Sequence, residues 1–153
     1  MKKIAIFAAT TFWAVMAAVI IPIVSYAKAN EVPITEENLT QLKGKWEGYR
    51  RGLSGREQSP TDFEIENDVL PLKGRMINYQ SPSGGDSVSL FEDGAIKKGK
   101  LHFKLLGKYG EVLREVTLTL YVSGKKMELR GAGEAKEGKI GAQPFLEYFF
   151  IKK

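Results

Sequence analysis

The chain has 153 residues, 43% of them hydrophobic and 27% charged, which is enough for one domain and argues against wholesale disorder. It has no Cys and a single His, His102; disulfides, thiolate catalysis and Cys-ligated zinc are excluded, and any Ser-His-Asp relay or His-based metal site would hang on one ring. The net charge is +5, but Lys and Arg are interleaved with acids rather than gathered into the stripe that nucleic-acid binding requires.

Met1-Lys2-Lys3 is followed by an uncharged run from Ile4 to Val24. Ser25-Tyr26-Ala27 then places small residues at the −3 and −1 positions of a cut after Ala27, and Ala27-Lys28-Ala29 offers a second such site. This is the layout of a secretory signal peptide over residues 1–27. The run is longer than the usual ~7–15 residues and close to the ~20 that span a bilayer, so an uncleaved anchor over residues 4–24 is the alternative. Pro22 would break a helix just before the cut, which favours cleavage. With the leader gone, 21 Lys and Arg face 18 acids. The Lys-Lys start and the absence of a lipobox Cys point to a bacterial periplasmic or secreted protein, touching a membrane only through the leader.

Residues 28–42 read as a linker and a short helix. Thr35 is an N-cap candidate with Glu36 and Glu37 in the first turn, and Leu39 and Leu42 share one side. Residues 43–153 read as the folded domain. Gly44 to Tyr49 opens a first strand, Phe63 and Ile65 alternate with acids in a second, and Leu72 to Tyr79 forms a third. Val88 and Leu90 give a short fourth strand, closed by Asp93-Gly94 as a turn. Leu101, Phe103 and Leu105 alternate in a fifth. Val116, Leu118, Leu120 and Val122 alternate in a sixth, Ser123-Gly124 turns the chain, and Met127 and Leu129 continue in a seventh. Gly131 to Gly141 reads as a glycine-rich mobile stretch, and Phe145 to Ile151 as a strand covered on both sides. About eight sequential strands, with Trp46, Phe63, Leu101, Phe103, Leu118 and Leu129 among those pointing inward, predict an all-β, antiparallel up-and-down barrel.

A short helical turn followed by Gly44-Lys45-Trp46 at the first of eight strands resembles the Gly-x-Trp start of lipocalins and related calycin barrels. The resemblance implies a Trp46 that plugs the closed end, a structural role, and an open end that admits a small apolar ligand. No second lipocalin motif, disulfide or long C-terminal helix accompanies it.

Other motifs resolve to ordinary readings. Gly133 to Ile140 approaches a phosphate loop but puts Ile140 where a metal-binding hydroxyl belongs, and Glu134 and Glu137 would repel phosphate. Ser123-Gly-Lys-Lys126 matches Ser-x-x-Lys, but on a hairpin turn rather than a helix. His102 is expected on the outer face as an unpaired surface residue, and Asp62, Glu64, Glu66 and Asp68 as a solvated acidic face. With Trp46, Met76, Val116 and Phe149 inward, alternation gives Arg50, Asn78, Arg114 and Glu147 two readings: they lie at strand ends and reach solvent, or they share the inner face, where polar groups must be paired or meet a ligand. They are the candidate ligand-binding residues. No general-base constellation appears, so neither enzymatic activity nor a cofactor is expected. The expected function is an exported, non-catalytic barrel binding a small apolar or amphipathic ligand in its mouth. The second reading is a filled-core barrel acting through its loops on a protein, glycan or membrane partner, as an inhibitor or accessory protein.

Overall fold

Alternation of apolar and polar residues along the chain from Gly44 onward resolves into eight strands that close on themselves. The computed structural model describes residues 29–52, 55, 58–79, 85–136 and 143–153; the segment 1–27 expected as a signal peptide lies outside them. The elements are β1 (Asn30–Val32), a 3-10 turn (Glu36–Asn38), α1 (Leu39–Leu42), β2 (Gly44–Gly52), β3 (Gln58–Ile65), β4 (Leu72–Asn78), β5 (Ser87–Lys97), β6 (Lys100–Leu106), β7 (Val112–Ser123), β8 (Lys126–Ala135) and β9 (Phe145–Lys152). Each strand from β2 to β9 pairs antiparallel with its neighbours in sequence, and β9 returns to β2 with Tyr49 opposite Phe149. This is a closed up-and-down barrel, which leaves no free sheet edge along its wall. Among the described residues no helix is long and apolar enough to cross a membrane.

The six side chains expected inward are all buried, and Phe63 sits among them as a hub. Its ring stacks on Phe91, Phe103 and Phe150 with centroids 5.3–5.4 Å apart, a favoured offset geometry. Below this layer Trp46, Ile65, Leu72, Leu120 and Leu129 pack against Ile34, Leu39 and Leu42. The Trp46 indole donates to the Leu42 carbonyl at 2.8 Å, so α1 seals the base. Two glycines permit the wall to bend inward. A Cβ on Gly48 would lie 1.8 Å from the Phe149 carbonyl oxygen, and one on Gly131 1.9 Å from that of Thr117.

Several elements differ from the sequence expectation. Residues 30–34 are not a free linker. Strand β1 pairs with β7 at Val122 to Leu120, beyond the point where β6 stops, and Ile34 is buried. The Asp93-Gly94 turn does not exist. Strand β5 runs through it, Gly94 is buried opposite Leu72, and the chain reverses at Lys98-Gly99. Both of those residues have positive φ, 51° and 73°, as a two-residue hairpin of type I′ demands. Asp93 instead donates nothing and accepts the Lys104 N–H at 2.9 Å, where β5 carries one more residue than β6. Val88 and Leu90 face solvent, while Ser89 and Phe91 face in. Gly131 to Ala135, expected as mobile, belong to β8; of the remainder of that stretch, residues 137–141 lie outside the described residues.

Candidate functional site

The antiparallel order sorts the connections between two ends. The turns at 66–71, 98–99 and 124–125 lie with α1 at the closed end. Strands β2, β4, β6 and β8 end, and β3, β5, β7 and β9 begin, at the other end, the mouth.

Three of the four candidate residues stand on the inner face at the mouth. Arg50 follows Trp46 and Gly48 on the inward register of β2 and lies directly opposite Tyr148 of β9. Asn78 ends β4 on the register of Leu72 and Met76, is buried, and accepts from the Thr61 hydroxyl at 3.4 Å. Arg114 precedes Val116 on β7 and is 8% exposed. Its guanidinium donates to the carbonyls of Gly133 at 2.9 Å and Gln143 at 2.8 Å. It thereby ties the end of β8 to the start of β9. Room for it exists because Gly133 has no side chain: a Cβ there would stand 2.7 Å from the Arg114 Cδ.

Glu147 is elsewhere. Phe145 to Ile151 is apolar on both faces, so alternation alone does not choose between them, and the structure turns Leu146, Tyr148 and Phe150 inward. Phe149 is therefore on the outside, stacked on Tyr49 at 5.3 Å, and Glu147 pairs outside with Arg51. Tyr148, Thr61 and Ser89, which sequence reasoning did not select, take the inner positions; all three are buried. For Thr61 and Ser89 the signal was available, since each falls on alternation with an inward Phe.

The electrostatics of the mouth are one-sided. The carbonyls bound by Arg114 carry no net charge, and Arg50 makes no hydrogen bond or ion pair among the described residues. Burial pulls the Arg114 pKa below its ordinary value, with the Tyr148 phenol opposing and the Arg50 charge reinforcing that pull. Burial likewise raises the Tyr148 phenol, against both arginines. Among the described residues two cations thus share a partly desolvated space without a carboxylate, an arrangement that an anion would relieve.

Trp46 stands at the opposite end, fully buried beneath the Phe63 layer. His102 does face outward, but it is half-buried and bonded through Nδ1 to the Thr117 hydroxyl at 2.9 Å. Two of the four acids of the acidic face are also partnered: Asp62 accepts from Tyr79 at 2.8 Å, and Glu64 accepts twice from the Arg75 guanidinium. Among the described residues no group of three or more His, Asp or Glu converges as metal ligands would. An outer groove of about 430 Å³ lies over β2, β9 and β8, where Tyr49, Phe149, Arg51, Arg130 and Glu147 largely satisfy one another.

Comparison of the chain with protein-family models, with curated proteins and with solved structures returns no match.

Proposed function

We propose that the chain is an exported, non-catalytic, lipocalin-like barrel that holds a small amphipathic molecule in its mouth by an anionic head. The observation that carries this reading is the pair Arg50 and Arg114, both on the inner face and neither facing a carboxylate among the described residues. A carboxylate or phosphate is the natural complement, because charge-assisted bonds from guanidinium are the strong ones in such a place. Thr61, Asn78 and Ser89 supply neutral hydrogen-bonding groups around it. The apolar part of the ligand would rest on Leu105, Val116, Leu146 and the Tyr148 ring, above the phenylalanine layer. The test is native mass spectrometry of protein purified from its own host, repeated with Arg50→Gln. A co-purifying anionic species that is lost or weakened at least tenfold in the variant is expected. A protein that carries nothing, and that calorimetry shows to bind neither fatty acids nor lysophospholipids, would sink the reading.

One observation favours the second reading, action through the loops on a protein, glycan or membrane partner. Phe63, Phe91, Phe103 and Phe150 occupy the barrel at mid-height and leave only its upper part for a guest. Under that reading no small molecule accompanies the protein, and changes in the loops rather than at Arg50 abolish its activity.

A further inference from the structure

The closed end carries a feature that the mouth reading does not use. The segment Asn30 to Ile34 runs between two hairpin turns. Asn30 lies opposite Val122, just before the β7–β8 turn, and the Ile34 N–H donates to the Gly99 carbonyl at 2.9 Å in the β5–β6 turn. Lys97, Lys98 and Lys100 crowd one turn, and Lys125 and Lys126 the other. Among the described residues two acids pair with these lysines, while Glu36, Glu37 and Glu66 are exposed elsewhere on the closed end, on the 3-10 turn and after β3. Glu31 lies 4.0 Å from Lys100, and Glu128 is already shared by Lys126, at 3.0 Å, and Arg130. Lys97, Lys98 and Lys125 are exposed and have no ion-pair partner among the described residues. The chain arrives here from the leader. Only residues 25–29, one of them Lys28, separate the end of the apolar run at Val24 from Asn30. Five residues reach about 18 Å at full extension.

We infer that the closed end of the barrel is a docking face for a membrane surface rich in anionic lipid, with the two lysine hairpins seated on the headgroups and the mouth pointing away. The apolar run supplies the second element. Wherever it remains attached, it holds Asn30, which pairs beside the β7–β8 lysine turn, within about 18 Å of the bilayer. There, each Lys near an anionic surface strengthens attachment roughly fivefold, within a Debye length of about 8–10 Å. Repulsion among the lysines of the two turns, three of them without an ion-pair partner among the described residues, is relieved by lipid phosphates, as the repulsion at the mouth would be by a ligand head. The two surfaces are at opposite ends, so both can be occupied together.

The experiment uses the full chain reconstituted with vesicles of phosphatidylcholine alone or with about one-third phosphatidylglycerol. Lysines are acylated briefly and the modified positions read by mass spectrometry. Protection of Lys97, Lys98 and Lys125 in the anionic vesicles is expected, several-fold and lost at about 0.5 M salt, with Lys108 and Lys136 near the mouth labelled equally in both. The variant Lys97→Gln/Lys98→Gln/Lys125→Gln changes only exposed side chains. In it the protection of Lys100 and Lys126 by the anionic vesicles should fall several-fold, with labelling in neutral vesicles unchanged. Equal labelling of the parent in the two lipids, or a variant whose Lys100 and Lys126 stay protected like the parent's, would overturn the inference.

Discussion

Lys152 lies across the indole of Trp46, its ammonium 5.3 Å from the ring centroid. The same ammonium donates to the carbonyls of Gln41 and Lys43, while the Trp46 Nε1–H takes the Leu42 carbonyl between them. Three consecutive carbonyls at the end of α1, which the helix itself leaves unsatisfied, are thus capped by the two ends of the barrel sequence. Replacing Lys152 by Met removes the bonds and the cation–π contact together. A loss of about 1–2 kcal/mol is expected, with Lys152→Arg recovering most of it. Urea titration followed by Trp46 fluorescence measures both.

Phe63 is the second place where one side chain decides much. Its three stacked partners belong to three different strands, so truncation leaves a hole that no single strand can close. Phe63→Ala should cost about 3–5 kcal/mol. It should also deepen the mouth into a cavity that binds an apolar fluorophore such as anilinonaphthalene sulfonate under native conditions. A variant that loses stability without gaining dye binding would show that the layer collapses onto the gap.

The glycines of the wall separate close approach from backbone conformation. Gly48 and Gly131 each face a carbonyl oxygen of the adjoining strand at less than 2 Å from a built Cβ, so an alanine there must displace the backbone. Gly48→Ala is expected to cost about 3 kcal/mol or more. Gly110 has φ of +77° but open space around it, so Gly110→Ala pays only the left-handed conformation, about 1 kcal/mol. The contrast in thermal unfolding midpoints checks the assignment.

How much of this the sequence announces follows from which signals are local. Period-two alternation is local and strong between Leu101 and Leu129, and there it gives the inward faces correctly. Closure was also legible, since sequential strands of similar spacing have few other ways to hide their edges. Asp93-Gly94 misled because Asp-Gly is a hairpin signal only when the chain needs to turn. Here the glycine is required by contact with Leu72, a residue about twenty positions away. Strand β1 could not be read at all. Three polar-flanked residues become a strand only because β7 is longer than β6 and leaves a row of partners open. The mouth was half legible. Arg50, Asn78 and Arg114 follow from alternation, whereas Glu147 depended on a choice of face in a strand apolar on both sides.

Glu128 gives the last prediction, in pH. Its carboxylate is nearly buried on the outer wall, 8% exposed, between Lys126 and Arg130, and Arg130 in turn lies over the rings of Tyr121 and Phe149. Burial alone would raise its pKa. The hydrogen bonds from Arg130 and Lys126 outweigh that and hold it below the ordinary carboxylate value. A group whose folded pKa is depressed stabilises the fold above its unfolded pKa, about 4.3 for Glu, and loses that contribution as pH falls through the folded value. The parent should therefore exceed Glu128→Gln in stability near pH 7 by an amount that shrinks steadily below about pH 4. Urea midpoints at neutral and acid pH measure the difference. A gap that is constant with pH would mean that Gln loses packing rather than charge, and that the two cations stabilise the hairpin without help from the carboxylate.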